Sequence, residues 1–260
     1  MNKSELKKFY KKNGYLIIKN VLNNRDILSI SKRLNYLARK QSQGRGLQEP
    51  GVKKSLVHSL HKDKVIIEKI EKAKWFQKTA KILLEDENIY FWSAKSNLKK
   101  RWNGTVEYYH QDHIYLKDLK FASSKMLKCM IFIDDHEHVN GGMWVFPGSH
   151  KKFYKHQKFL NINSLQKYFI HPKILDNINK KFKAKSLNEK KGTCIFFHTN
   201  LIHGSAHNIS PFDRKIILYD VTTKKNFINA DRKKILNFNK QERMLYEKNE
   251  LKKRLKELKH

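Results

Sequence analysis

From about residue 88 onward the chain breaks into short apolar runs separated by turn-forming residues, and this limits the fold more than any other feature. The runs cover 88–98, 105–112, 126–133, 142–147, 193–198, 201–208 and 214–222. They are rich in β-branched and aromatic residues and do not alternate with long helical patterns, as a parallel α/β sheet would require. Short strands of this kind pack as two antiparallel sheets or close on themselves. The expected fold is mainly β with flanking helices, a double-stranded β-helix of the cupin-like jelly-roll type.

The first third reads differently. Residues 14–22 (GYLIIKNVL) suit a short strand, whereas Ile27, Ile30, Leu34 and Leu37 fall three, four and three apart, one stripe of a helix over 25–41. Polar residues with Gly44, Gly46 and Gly51 make 42–56 a loop. Asp63 is placed to cap a helix through VIIEKIEKAKWF, with a second through Thr79–Leu84. Near the end, Met244, Leu251, Leu255 and Leu258 share a helical face. Without repeats or a Pro/Ser/Gly linker, the expectation is one domain over 1–225, with helical insertions at about 25–85. A helical extension over 226–260 would pack on it.

Composition narrows the setting. At 260 residues and 39% hydrophobic, the chain can bury a sizeable core and is neither disordered nor collagenous. No run approaches the roughly 20 apolar residues of a membrane span. The start, MNKSELKKFYKKNGYLII, lacks a secretory apolar region and cleavage site. Cys129 and Cys194 lie in apolar runs without CxxC spacing, which points to a reducing, cytoplasmic setting. The net charge of +32 invites a nucleic-acid reading, but only nine of 56 basic residues are Arg. The lysines are dispersed and accompany an Asn and Ile excess, as codon usage in a genome poor in G and C would impose. Solubility and attraction to anions follow from this charge, but a function does not.

Chemistry concentrates in two segments. In Tyr108-Tyr109-His110-Gln111-Asp112-His113, strand alternation puts His110 and Asp112 on one face and Gln111 on the other. With a distant His, such a pair makes the 2-His-1-carboxylate set that holds Fe(II) with open positions. The motif alone is weak, since the chain holds a second HxD, His61-Lys62-Asp63. The later segment, from Gly192 to Arg214, offers His203 and Ser205 on one strand face, then a turn at Pro211 and Asp213, then Arg214. A guanidinium and a hydroxyl near a metal ligand can grip a dicarboxylate whose other end chelates the metal. By composition His198 and His207 are also available as the third ligand, although His198 has the opposite strand parity to His203. His136 and His138 read as loop residues, Gly141-Gly142 as a turn, and Trp144 and Phe146 as core.

The chain resembles the phytanoyl-CoA dioxygenase family of Fe(II)/2-oxoglutarate-dependent oxygenases. The resemblance is carried in order by ELKKFYKKNGYLIIKNVL, YYHQDHIYL, NGGMWVFPGSHK and FFHTNLIHGSAHNISPFDRKIILYDV. The final hairpin is similar to that of ectoine hydroxylases. The resemblance implies that His110, Asp112 and His203 bind iron and that Arg214 and Ser205 hold the distal carboxylate of 2-oxoglutarate. A lysine ahead of the HxD motif often contacts the cosubstrate in this family, and Lys99 is the nearest match, beside Lys95 and Lys100. Ser93 stands where ectoine hydroxylases carry a substrate-binding glutamine, a departure that argues against ectoine itself. The implied cofactors are Fe(II), 2-oxoglutarate and O2. The implied reaction is a hydroxylation that releases succinate and CO2; Asp112 argues against halogenation. The family's substrates include acyl-CoA esters, small metabolites, phosphonates and natural products, and the positive charge slightly favours a small, polar or anionic metabolite over a long acyl chain. The alternative is a non-catalytic ligand- or nucleic-acid-binding jelly roll with a basic surface. A metal-dependent hydrolase or isomerase would have no use for Arg214 and Ser205.

Overall fold

The computed structural model describes residues 2–40, 56–158 and 168–230. Its strands in chain order are β1 (Tyr15–Ile18), β2 (Leu56–Val57), β3 (Ile89–Lys99), β4 (Glu107–His110), β5 (Met126–Phe132) and β6 (Met143–Val145). They continue with β7 (Gln157–Lys158), β8 (Tyr168–Phe169), β9 (Lys185–Leu187), β10 (Cys194–His198), β11 (His203–Ser205) and β12 (Arg214–Thr223). The helices are α1 (Lys3–Asn13), α2 (Asn24–Lys40), α3 (Lys64–Ile66), α4 (Lys74–Leu84), α5 (His113–Leu116), α6 (Pro172–Phe182) and α7 (Lys224–Asn229).

A six-stranded sheet, ordered β1-β10-β5-β12-β3-β2, faces a four-stranded sheet, β4-β11-β6-β9, and all their pairings are antiparallel. This is the expected jelly roll. Alternation decides which residues go where. On one face of the large sheet, Leu16, Leu127, Cys129, Ile131, Phe196, Ile217 and Tyr219 meet the apolar stripes of α1, α2 and α4. Phe76 of α4 sits at the centre, its ring 5.6 Å from Phe196 and 5.3 Å from Tyr219. Burying such a side chain contributes roughly 1.5–3 kcal/mol. On the other face, Tyr15, Met130, Phe132, Ile195, Phe197, Ile216 and Leu218 pack between the sheets against Met143, Val145 and Leu187.

Local signals set the helix boundaries. Asn2 and Glu5 form a reciprocal capping box on α1, and Gly14 ends it in the left-handed region at φ 78°, its N–H donating to the Tyr10 carbonyl. The Asn23 side chain accepts the Asp26 N–H at the start of α2. Asp63 caps as expected, accepting the N–H groups of Val65 and Ile66 at 3.1 and 3.2 Å. One expectation needs amendment and one stretch gains elements. The strand expected over 105–112 stops at His110, because Gln111 is held by side-chain bonds and Asp112 turns to helical angles (φ −58°, ψ −26°) ahead of α5. The pattern assigns no element within 149–192, yet the described parts of that stretch hold β7, β8, α6 and β9. Most of the loop expected over 42–56, and the helix containing Met244, Leu251, Leu255 and Leu258, lie outside the described residues. Among the described residues no helix is long and apolar enough to cross a membrane.

Candidate active site

The small sheet aligns the first two site residues. β11 lies between β4 and β6, and its register sets His203 directly opposite His110. Their rings stand 4.4 Å apart between centroids. Each Nδ1 donates to a backbone carbonyl two residues back, His110 to Tyr108 at 2.8 Å and His203 to Leu201 at 2.9 Å. Because a carbonyl only accepts, the proton is fixed on Nδ1 and the lone pair of each Nε2 is left for a metal.

The third group arrives by a turn rather than by strand parity. Gln111 locks that turn: its Nε2 donates to the carbonyls of Lys152 and Asn200 at 2.8 and 2.6 Å, and its Oε1 accepts the Tyr154 N–H at 2.8 Å. Asp112 then reaches back, with Oδ1 3.6 Å from His110 Nε2 and Oδ2 3.6 Å from His203 Nε2. One ligand atom from each of the three lies within 4.8 Å of the others, the only such grouping among the described residues. Burial and then His110 push the His203 imidazole down to about 4, keeping it neutral as a ligand must be. Burial opposes ionisation of Asp112, but Lys128, His203 and His110 outweigh it and hold the carboxyl well below its usual range. For His110 the order is burial downward, then Asp112 upward, with a net rise. Two neutral-capable imidazoles and an ionised carboxylate form the donor set of a divalent transition metal with open positions.

Two residues along β11, a cationic pocket begins. Lys99, buried at the end of β3, donates to Ser205 Oγ at 2.7 Å and to the Ala206 carbonyl at 2.6 Å. Arg214 opens β12 directly opposite Lys99 and is 1% exposed, its guanidinium donating to the Gly141 carbonyl. Gly141 sits at φ 89°, and a Cβ there would meet the Lys99 side chain at 2.7 Å, so this turn needs glycine for both reasons. Of the neighbouring lysines, Lys100 pairs with Asp213 at 2.9 Å. His136, expected in a loop, is there but fully buried, stacked on Phe132 at 4.1 Å and accepting the Met143 N–H. Burial, then Arg214 and Lys99, hold it far below the ordinary histidine range. His198 ends β10, its Nδ1 accepting the Asn200 N–H, and His207 is exposed; neither joins the triad.

Residues 10–216 match the phytanoyl-CoA dioxygenase (PhyH) family. The chain belongs to that family. Membership carries the enzyme class that the motifs implied, an iron- and 2-oxoglutarate-dependent dioxygenase, and the His–Asp–His cluster fits it. The family members it resembles include the ectoine dioxygenase of Bordetella bronchiseptica, 23% identical over 234 residues, or 85% of this chain and 75% of the relative. The L-proline trans-4-hydroxylase of Streptomyces griseoviridis is 22% identical over 221 residues, covering 80% and 82%. Among solved structures, EctD from S. alaskensis with bound Fe superposes with a TM-score of 0.70 at 19% identity, over 86% of this chain and 77% of that one.

Sequence reading missed a group of buried charges around the triad. Lys128 on β5 pairs with Asp220 on β12 at 2.6 Å and lies 3.6 Å from Asp112. Burial works against its charge, and Asp112 and Asp220 more than restore it. Both were detectable, as a lysine inside MLKCMIF and an aspartate inside IILYDV, since ionised side chains are rare in buried runs. Glu107 on β4 was also missed. Its carboxylate accepts from Asn97 at 3.0 Å and from Ser205 at 3.4 Å, and simple alternation gave no sign of it.

Proposed function

We propose that this protein hydroxylates a small, polar or anionic metabolite, with His110, Asp112 and His203 holding iron and Arg214, Ser205 and Lys99 holding the distal carboxylate of 2-oxoglutarate. The carrying observation is that both imidazole Nε2 atoms face Asp112 while the cationic pocket starts two residues further along the same strand. When bound, iron with 2-oxoglutarate and O2 supplies the oxidising power and yields succinate and CO2. The chain supplies position and charge. Gln111 fixes the turn that presents Asp112, the two carbonyl-bound Nδ1 groups fix the ring orientations, and Arg214 fixes the far end of the cosubstrate. Residues 1–225 are taken as the single catalytic domain, with 226–260 as its extension.

Two observations support a small polar substrate. The relatives named above act on ectoine and on L-proline. Beside Asp112, the inner face of the large sheet carries the buried Lys128–Asp220 pair. The test is succinate release from purified protein with Fe(II), 2-oxoglutarate and a panel of polar metabolites. His110→Ala and Asp112→Ala should each drop turnover to background. Full turnover in either variant sinks the site assignment, and a preference for long-chain acyl esters sinks the substrate class.

A further inference from the structure

The cationic pocket holds a carboxylate supplied by the chain itself. The two steps of β11 from His203 to Ser205 run opposite three steps of β4 from His110 back to Glu107, so the ladder carries an extra residue on β4. This bulge breaks ordinary alternation and turns both His110 and Glu107 inward although they are three positions apart. Glu107 Oε2 receives the Ser205 hydroxyl, the group to which Lys99 also donates, and Oε1 receives the Asn97 amide. Burial disfavours its charge, but Lys99, then His110, Arg214 and His203, outweigh that and keep it ionised. Of the groups assigned to the distal carboxylate of 2-oxoglutarate, Ser205 therefore already donates to a carboxylate, and Lys99 and Arg214 already act on it through their charge.

We propose that Glu107 competes with the distal carboxylate of the cosubstrate for Lys99, Ser205 and Arg214, and so sets the affinity for 2-oxoglutarate below what these cations alone would give. The inference rests on the assignment of that pocket to 2-oxoglutarate. In a poorly solvated pocket, one anion beside two cations cancels much of their pull on a second anion, and the effect is not removed by salt. A 2-oxo acid without a distal carboxylate escapes the competition because it makes no demand on these groups.

The test is calorimetric titration of the Mn(II)-loaded protein with 2-oxoglutarate and, separately, with 2-oxopentanoate, which has a neutral tail. Glu107→Gln keeps the side-chain shape and an acceptor for Asn97 but removes the charge. It should tighten 2-oxoglutarate by about tenfold. Affinity for 2-oxopentanoate should stay within about twofold, so the discrimination between the two acids widens. Glu107→Ala, should the first variant not fold, must shift the ratio in the same direction. Unchanged or weaker 2-oxoglutarate binding, or equal gains for both acids, overturns the competition while leaving the pocket assignment intact. Failure of the native protein to bind 2-oxoglutarate, with Mn(II) bound, overturns both.

Discussion

Along β5, Leu127, Cys129 and Ile131 point into the helix-covered core, while Lys128, Met130 and Phe132 point between the sheets. β12 does the same, with Ile217, Tyr219 and Val221 on one side and Arg214, Ile216, Leu218 and Asp220 on the other. The helix-covered face holds an unbroken apolar cluster, and its contribution is stability. The inner face is apolar only in part and otherwise carries buried charges that stabilise the fold less than hydrocarbon of equal volume would. A period of two lets one strand serve both purposes, so the buried charges Lys128, Arg214 and Asp220 lie on the face turned toward the His–Asp–His cluster.

That contrast can be broken experimentally. The largest effect belongs to the outer face: Phe76→Ala should cost about 3–5 kcal/mol in urea unfolding. The 2-oxoglutarate turnover of the remaining folded protein should stay near native; a proportionate loss of turnover would mean the two faces are coupled. Next, Asp220→Leu leaves Lys128 with a single weaker partner and should cost about 3 kcal/mol. Combining it with Lys128→Met should recover most of that stability without restoring full activity. Recovery of both would show that the charged pair has no functional use.

The smallest effect is a pH dependence. Burial, then His150 and His113, push His198 down from 6.5 to about 4 in the folded protein. A histidine depressed in this way favours the folded state above the unfolded value. Its contribution is complete above pH 6.5 and is lost as the pH falls toward 4. The melting temperature should therefore fall more steeply over that window in the native chain than in His198→Gln. Parallel curves would assign the acid sensitivity elsewhere.

Much of this was legible along the chain. The α2 stripe at Ile27, Ile30 and Leu34 is buried as its spacing requires, and Asp63 caps where its position ahead of an apolar helix indicated. The motifs single out His110, Asp112 and His203, which the fold brings within reach of one another, and Ser205 and Arg214, which it places beside Lys99. Asp112 does come close to His110, but not by strand parity. Strand parity suggested a shared face, whereas Gln111, expected to point away, forms the buried knot that turns the chain there.

Residue type and spacing by themselves determined the strand-rich second half, the α2 stripe and the Asp63 cap, and the family motifs named the candidate ligands, because alternation, helical stripes and capping act within a few residues of chain. Local pattern left His198, His203 and His207 all open, the family motif pointed to His203, and tertiary structure set His203 opposite His110, since register between strands about 90 residues apart is a long-range choice. It also decided that Glu107 turns inward and that Lys128 finds Asp220 and Asp112, because a bulge and a buried ion pair depend on partners that local pattern does not name.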